Sequence, residues 1–249
     1  MITEYCSLNC KLCLAYVPYY REKKSLTLDE AKIIFRNYFE MIDSVEKFSI
    51  TGGEPLVNSQ LKDIIKELLI YEKQITKEII IITNGTIALS EEILEILKSN
   101  IKIKVIVNNY GVISTNAFLN KELLIKNNIN HIFYTEENRY GWIDCRDHSL
   151  KHFTDEDKDK QASQCAFWVG KKYVINRGKM YTCTRSAYRI QEKLIPFSEY
   201  DYIDLLKDDK LLRKEKLNYL VNLKSSVSCA YCEGLTEKTP KYKAAEQLV

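Results

Sequence analysis

In the stretch "VEKFSITGGEPL" (residues 45–56), a pair of glycines directly follows a short strand-like segment. The Val and Ile content and the short length of "VEKFSIT" (45–51) predict a buried strand. After the turn, "NSQLKDIIKELLIYEK" (58–73) places its apolar residues on one face of a helix. A strand, a turn and an amphipathic helix in this order predict one part of a βαβ unit.

The same alternation continues on both sides of that stretch. Further strand-like runs are "EIIIITN" (78–84), "IKIKVIVNN" (101–109) and "HIFYT" (131–135), and further helical patterns cover 27–42 and 90–100. Helix starts are predicted at Thr27, which stands in capping-box spacing with Glu30, and at Ser90. We therefore predict an α/β fold with a parallel sheet, either doubly wound or closed as a barrel, with its ligands at the carboxyl ends of the strands.

After about residue 140 the pattern changes. "KKYVINRGKMYTC" (171–183) predicts a β-hairpin that turns at Asn176, Arg177 and Gly178. The segment 202–220 is rich in charge and predicts an exposed helix. We predict a first domain over residues 1–140 and a small second domain over 141–249.

The overall charge excludes no partner but disfavours nucleic acid. The chain has 37 basic and 34 acidic residues, with no concentrated basic face in sequence. No apolar run approaches the roughly 20 residues that cross a bilayer, and the first residues do not resemble a signal peptide. We expect a cytoplasmic protein without nucleic-acid or membrane partners, in which the eight cysteines act as metal ligands or redox groups.

Three of these cysteines follow "MITEY" (1–5), which predicts a short first strand. Cys6, Cys10 and Cys13 have the spacing C-x3-C-x2-C. Three thiolates hold three irons of a 4Fe–4S cluster and leave the fourth iron open, whereas a zinc site would need to borrow one more ligand.

The glycine pair belongs to the stretch "TGGEPL" (51–56). Gly52 and Gly53 allow the backbone to approach a ligand closely, and Glu54 adds a negative charge that suits an ammonium group. A plain turn is the alternative.

Together the two motifs resemble those of the radical S-adenosylmethionine (SAM) superfamily, including the hydrophobic Leu12 before the last cysteine. The resemblance implies a partial (β/α)6 barrel in which the open iron chelates SAM and Gly52, Gly53 and Glu54 line its amino group. It also implies ribose or adenine contacts from the residues Thr83, Asn84 and Asn108 or Asn109. The implied chemistry is reductive cleavage of SAM to a 5′-deoxyadenosyl radical, with electrons from a donor such as flavodoxin or ferredoxin.

Four later cysteines form a second set, Cys165 and Cys183 around the hairpin and Cys229 and Cys232 as a C-x2-C pair. By spacing they suit either a zinc site or a second iron–sulfur cluster. The arrangement resembles the twitch form of the SPASM-like auxiliary-cluster subdomain in the same superfamily, and 2-deoxy-scyllo-inosamine dehydrogenases in particular. The resemblance implies an auxiliary 4Fe–4S cluster in which all four ligands are protein, so that its work is moving electrons.

The remaining cysteine lies in "RYGWIDCRDHS" (139–149). As a hydrogen-atom donor, Cys145 would make the protein an epimerase. Alternatively, the charged and polar residues around it bind a polar substrate, and one of them accepts a proton. These residues are Asp144, Arg146, Asp147 and His148. An inert buried thiol beside a solvated charge patch is the third reading.

The expected reaction is oxidation of an alcohol to a ketone on a small polar substrate such as a sugar or cyclitol. The carbon radical must lose an electron, which the auxiliary cluster can accept, and a proton. The chain begins at the predicted first strand, without a module to capture a leader peptide, which favours a small substrate. Epimerisation through Cys145 and modification of a peptide remain the alternatives.

Overall fold

The computed structural model describes residues 1–135 and 141–248. The chain forms two compact units, one made of Met1–Asn9 and Lys23–Tyr140 and the other of Cys10–Glu22 and Gly141–Val249. The predicted boundary between residues 140 and 141 adjoins the segment 136–140, which lies outside the described residues, and it stays a prediction. Sequence patterns gave no sign that the segment from Cys10 to Glu22 belongs with the second unit.

The first unit is built on a four-stranded parallel sheet with the order β1-β2-β3-β4. Its strands are β1 (Val45–Ile50), β2 (Ile75–Thr83), β3 (Ile103–Asn108) and β4 (His131–Tyr134). Its helices are α1 (Leu28–Phe39), α2 (Leu61–Leu69), α3 (Glu91–Lys98) and α4 (Ala117–Lys126). The predicted α/β fold with a parallel sheet is confirmed. In the described residues this sheet has four strands, whereas the resemblance implied the six of a partial (β/α)6 barrel.

Local capping explains where two of these helices begin. The Thr27 side chain accepts a hydrogen bond from the Glu30 amide, and the Glu30 carboxylate accepts one from the Thr27 amide. The Ser90 hydroxyl accepts from the amide of Ile93. Each cap satisfies amides that the first helical turn leaves without a partner, so the sequence signal and the start of the helix coincide.

Two strand predictions are wrong in detail. The strand β1 was expected to be buried, but only Ile50 in it is buried, because β1 is an edge strand that pairs with β2 alone. The predicted first strand over 1–5 is reduced to one bridge between Thr3 and Ser25. Its backbone instead bonds to the turn after β1: the Ile2 amide donates to the Thr51 carbonyl, and the Gly53 amide donates to the Thr3 carbonyl.

The second unit contains a three-stranded antiparallel sheet in the order β5-β6-β7. Strands β5 (Val174–Asn176) and β6 (Lys179–Tyr181) confirm the predicted hairpin. Arg177 and Gly178 both have positive φ, 49° and 73°, as the tight hairpin turn requires. Strand β7 (Ile203–Asp204) adds to β6.

The helices of the second unit are α5 (Asp155–Ser163), α6 (Ala166–Val169), α7 (Thr184–Gln191) and α8 (Lys210–Asn222). The helix predicted over 202–220 begins later than expected, because Asp209 caps α8 by accepting from the amides of Leu211 and Leu212. It is also less exposed than predicted, since Lys216 is buried against Asp208. Among the residues described, we find no helix with the length and apolar character needed to span a membrane.

Candidate active site

Polar residues follow the carboxyl ends of three neighbouring strands of the first unit. The turn with Gly52, Gly53 and Glu54 follows β1, Asn84 follows β2, and Asn108 ends β3. Because the carboxyl ends of parallel strands meet at one edge of a sheet, these side chains gather there. A hydrogen bond of 2.7 Å from the Asn84 amide to Oε2 of Glu54 joins the first two turns directly.

The two glycines admit the backbone that leads to the first cysteine. A Cβ at Gly52 would come within 2.5 Å of the Thr3 carbonyl oxygen. One at Gly53 would overlap the Tyr5 carbonyl and approach Cβ of Cys6 to 2.9 Å. The close approach seen here is therefore to the chain's own backbone, which fixes where the cysteine loop starts.

Glu54 is completely buried. Its Oε1 accepts from the Leu56 amide at 3.1 Å, while Oε2 accepts from the Asn84 amide. Burial raises the pKa of the carboxyl, and the hydrogen bonds from Asn84, Leu56 and Thr83 oppose that rise. Within residues 1–135 and 141–248 no lysine or arginine forms an ion pair with Glu54, so the site is electrostatically suited to a cationic ligand such as an ammonium group.

Asn84 holds the cysteine loop. Its Nδ2 lies 3.5 Å from Sγ of Cys6 and 3.2 Å from the Ser7 hydroxyl, and its Oδ1 accepts from the Thr86 amide. The Leu8 amide also donates to Cys6 Sγ, at 3.4 Å. The Asn84 side chain therefore positions Cys6, a role that the sequence did not suggest.

Thr83 and Asn109 are also engaged within the protein. The Thr83 hydroxyl accepts from the Gly85 amide, and Oδ1 of Asn109 accepts from the amide of Gly111. Asn108 differs: it is buried, and its Oδ1 has no hydrogen-bond partner in the described part of the chain. A buried acceptor without a partner is costly unless a ligand supplies a donor, so the structure favours Asn108 over Asn109 as a ligand contact.

Cys10 and Cys13 belong to the second unit, where the end of the chain holds their loop. The Gln247 side-chain amide donates to Cys10 Sγ at 3.3 Å, and the Lys11 amide donates to the Glu246 carbonyl at 2.7 Å. Leu12 is buried between the two cysteines, which indicates packing. Neither Gln247 nor Glu246 stands in a motif, so the sequence alone could not have identified them.

The four later cysteines are all buried in the second unit. Each sulfur accepts at least one N–H donor. The donors are the Leu235 amide to Cys165 at 3.5 Å, the Ser186 amide to Cys183 at 3.3 Å, the Trp168 indole to Cys229 at 3.1 Å and the Gly234 amide to Cys232 at 3.3 Å. Such donors stabilise thiolates and sulfur ligands of a metal centre.

The thiols of this second set lie close enough to influence each other's ionisation. Burial raises the pKa of Cys183, the charge of Arg185 and the hydrogen bond from the Ser186 amide oppose the rise, and the charges of Cys232 and Cys165 add to it. Burial also raises the pKa of Cys229 to about 11, with Cys183 adding to the effect. Two of these buried thiols, Cys183 and Cys229, thus resist ionisation, and a sulfur-binding metal centre would take the place of their protons.

In the described ranges no group of three or more His, Cys, Asp or Glu side chains has an arrangement that could hold a metal ion.

Of the candidate catalytic residues of the second unit, Asp144, Cys145 and Asp147 line a cavity of about 220 Å³, whereas Arg146 and His148 are not part of its lining. Its lining includes Asp144, Cys145, Asp147, Lys151, Arg189 and Cys232. Arg146 forms a two-pronged contact with Asp144, with Nε–Oδ1 2.9 Å and Nη2–Oδ2 2.6 Å. This contact lowers the pKa of Asp144, so its carboxylate is ionised and is a weak base at neutral pH.

Cys145 is half-buried and packs against Tyr16, Tyr20 and Tyr188. Burial raises the pKa of its thiol to about 11, although the neighbouring arginines partly oppose the rise. At neutral pH the group is therefore a protonated thiol.

Two buried arginines of α7 were missed by the sequence reasoning. The side chain of Arg185 is 2% exposed and that of Arg189 is 1% exposed. They stand four residues apart on the helix that follows Cys183, a spacing that puts both on one face. That spacing next to a candidate ligand is the signal that could have identified them. His148, expected as a possible substrate contact, accepts from Nε of Arg189 at 3.2 Å, and burial lowers its pKa.

Known proteins resemble this chain in sequence and in fold. Residues 1–131 match the model of the radical SAM superfamily, which is more than half of the chain. A GTP 3′,8-cyclase of Campylobacter jejuni (strain RM1221) is 34% identical over 85 residues, covering 34% of this chain and 26% of the relative. That of Helicobacter pylori (strain ATCC 700392 / 26695) is 30% identical over 86 residues, with the same shares. The chain thus spans about a quarter of the length of these curated relatives.

Two solved structures share the fold over nearly the whole chain. BtrN in complex with AdoMet and 2-DOIA is 15% identical, with a TM-score of 0.54 over 99% of this chain and 94% of that one. Native anSMEcpe with bound AdoMet is 12% identical, with a TM-score of 0.55 over 97% and 91%. At these identities the likeness concerns the fold. With the family match over residues 1–131, the chain belongs to the radical SAM superfamily.

Proposed function

We propose that the protein is a radical SAM dehydrogenase that oxidises an alcohol of a small, polar, sugar-like or cyclitol-like substrate to a ketone. Cys6, Cys10 and Cys13 would hold the 4Fe–4S cluster that binds SAM. When bound, these groups supply the 5′-deoxyadenosyl radical that removes hydrogen from the substrate. The observation that carries the choice of oxidation is the set of four buried, N–H-bonded thiols in the second unit.

The residues at the sheet edge of the first unit suit SAM. The buried Glu54 carboxylate, which has no ion pair in the described residues, would accept the ammonium group of the methionine part. The unpartnered Oδ1 of Asn108 would accept from a hydroxyl or amino group of the nucleoside part. Gly52 and Gly53 would contribute by holding the cysteine loop against this edge.

The second thiol set suits an auxiliary 4Fe–4S cluster ligated by Cys165, Cys183, Cys229 and Cys232. With four protein ligands, such a cluster has no open iron and does not bind substrate directly. Its use is to take the electron that the substrate loses on oxidation. Its ligand Cys232 lines the cavity, so the electron would travel a short way from a substrate bound there.

The lining of the cavity suits a polar substrate rich in hydroxyl or amino groups. Carboxylates of Asp144, Asp147 and Glu233 and the ammonium of Lys151 line it, and Lys151 binds Asp147 at 2.6 Å. We assign the proton released from the substrate hydroxyl to the ionised Asp144, which Arg146 orients. Asp144 is a weak base, but the hydroxyl becomes strongly acidic once the substrate radical has lost its electron, so a weak base is sufficient. An alcohol becomes a ketone by losing one hydrogen atom, one electron and one proton. These would go to the 5′-deoxyadenosyl radical, the auxiliary cluster and Asp144, respectively.

Epimerisation is the second candidate, and Cys145 is the observation that favours it. Its thiol lines the same cavity, and its pKa of about 11 keeps the S–H bond intact at neutral pH. A thiol in this state can return a hydrogen atom to a substrate radical. The substrate would then leave with its original mass and an inverted carbon.

The test is anaerobic turnover of the reconstituted full chain with SAM and dithionite, using a panel of cyclitols and amino sugars as substrates. Dehydrogenation predicts 5′-deoxyadenosine together with a product two hydrogens lighter. Epimerisation predicts an unchanged mass and uptake of one deuterium from D2O. The variant Cys145→Ala should keep dehydrogenase activity, and it would lose turnover only if the protein is an epimerase. Absence of 5′-deoxyadenosine with every substrate, and without any substrate, would contradict both.

A further inference from the structure

Arg185 is a buried cation that has no acidic partner among the residues the structure describes. Its side chain is 2% exposed, and within the described residues no Asp or Glu lies at ion-pair distance from it. Its Nε has no hydrogen-bond partner in the same part of the chain. Arginine keeps its charge in any protein environment, so this position holds a permanent positive charge away from water.

The other two guanidinium nitrogens of Arg185 point at sulfur. Nη2 lies 3.7 Å from Sγ of Cys165, and Nη1 lies 4.0 Å from Sγ of Cys145. The Phe167 ring lies 5.2 Å from the guanidinium carbon. The groups that surround the charge are therefore thiols and an aromatic face.

A buried charge is costly unless an opposite charge compensates it. The ionisable groups that the Arg185 guanidinium contacts in the described residues are the thiols of Cys165 and Cys145. An iron–sulfur cluster with four thiolate ligands is an anion in both of its redox states, and it is more negative when reduced. The environment of Arg185 matches such an anion.

We propose that Arg185 is the resident counter-charge of the auxiliary cluster and raises its reduction potential, an inference that rests on the proposed function. A fixed positive charge next to the cluster stabilises the reduced, more negative state over the oxidised one. The cluster thereby becomes a better acceptor for the electron that a substrate loses. Arg185 acts as a positioning and tuning residue, since it would touch a ligand of the cluster and leave the substrate to other side chains.

Arg189 provides a matched control on the same helix. It is equally buried, but its donors meet oxygen and nitrogen acceptors. Nη1 reaches the Ser228 carbonyl at 3.0 Å and the Ser228 hydroxyl at 3.1 Å, Nη2 reaches the Asp147 carbonyl at 3.3 Å, and Nε reaches His148. A loss of charge at Arg189 should therefore disturb folding as much as a loss at Arg185 while affecting the cluster less.

The experiment is an EPR-monitored redox titration of the full chain in a background that lacks Cys6, Cys10 and Cys13 (each replaced by Ala), so that only the auxiliary cluster contributes. Iron is counted in the same samples. We expect Arg185→Gln to lower the midpoint potential, so that at a fixed potential the ratio of reduced to oxidised cluster falls by about tenfold, which is about 59 mV for a one-electron couple. Arg185→Lys, which keeps the charge, should stay near the parent, and Arg189→Gln should shift the potential less than Arg185→Gln.

Equal potentials in Arg185→Gln and Arg189→Gln, with full iron in both, would overturn the inference while leaving the auxiliary cluster in place. If Arg185→Gln retains no iron, Arg185→Lys decides. An Arg185→Lys variant with the full iron content and the midpoint potential of the parent supports the role of the charge. Loss of iron in Arg185→Lys overturns the inference. A parent background without iron would overturn the proposed auxiliary cluster itself, and the inference with it.

Discussion

The two cysteine sets of this protein differ in their exposure to solvent. In the first set, which lies within a single loop, Cys6 and Cys13 are partly exposed and Cys10 is buried. In the second set all four sulfurs are buried, and they come from segments as far apart in sequence as Cys165 and Cys232. Under the proposed function, the partly exposed set would hold the cluster that binds SAM, and the buried set would hold a cluster that exchanges only electrons.

The supports of the two sets differ in a similar way. Cys6 is held by the Asn84 side chain and the Leu8 amide, and its loop depends on a backbone approach that only glycine permits. In the second set, each sulfur accepts a hydrogen bond from at least one N–H donor. The first centre should therefore be sensitive to backbone changes at some distance from it, and the second to the loss of individual donors or charges.

The largest effect is expected from removal of a ligand. Cys10→Ala should abolish SAM cleavage, because the iron that binds SAM is lost with its cluster, and the iron of the second set should remain. Cys229→Ala should do the reverse: it should lose the auxiliary iron and still form 5′-deoxyadenosine under dithionite. Iron counting and 5′-deoxyadenosine assays on both variants check this. Loss of both functions in either variant would mean that the two sets form one interdependent centre.

The next effect tests the backbone approach in the first unit. In Gly53→Ala the new methyl group overlaps the Tyr5 carbonyl and crowds Cys6. We expect a loss of about 1–3 kcal/mol in unfolding free energy, as for other overpacked sites, together with a lower iron content at the first centre. Thermal unfolding and iron counting in a background without Cys229 measure both. A variant with parental stability and iron content would show that the segment before Cys6 adjusts freely.

A smaller effect is expected at the buried acceptor of β3. Asn108→Ala should weaken SAM binding roughly fivefold, the value of one neutral hydrogen bond. Asn109→Ala is the matched control, since the neighbouring Oδ1 is already occupied by the Gly111 amide. Anaerobic titration calorimetry with SAM measures the two dissociation constants. Equal affinities in both variants would remove Asn108 from the SAM site.

The smallest effect concerns the pair of Asp144 and Arg146. Arg146 lowers the pKa of Asp144, so the pair stabilises the folded state above the ordinary pKa of Asp, near 3.9, and this stability is lost as the pH falls through the lowered value. About a third or more of each side chain is exposed to solvent, which weakens the ion pair. Arg146→Gln should therefore lower the free energy of unfolding by at most about 1 kcal/mol at neutral pH. Denaturant unfolding followed from neutral to acid pH measures the difference. A cost that does not shrink in acid would contradict the ion-pair account.

Much of the fold could be predicted because its signals are local. The Ile-rich run of β2, the capping box at Thr27 and the turn at Arg177 and Gly178 are each contained within a few residues, and the structure places elements where they predicted. The edge position of β1 was missed, because burial depends on which strands lie beside it and not on its own composition.

The candidate sites could be predicted as far as motifs reach. The spacing of the cysteines and the glycine pair identify the segments that form the candidate sites. The contacts that complete them were not predictable: Gln247 is more than two hundred residues from Cys10 in the chain, and the spacing of Arg185 and Arg189 indicates a shared helix face but not which sulfurs it contacts. Only the folded chain brings these groups to their sulfurs.

The central claim is that the first cluster is open to SAM and the second is closed. The most direct test is the EPR spectrum of the anaerobic, dithionite-reduced Cys10→Ala and Cys229→Ala variants, each recorded with and without SAM. We predict that SAM changes the cluster signal of Cys229→Ala, which keeps the first centre, and leaves that of Cys10→Ala unaltered. A SAM-dependent change in Cys10→Ala, or none in Cys229→Ala, would contradict it.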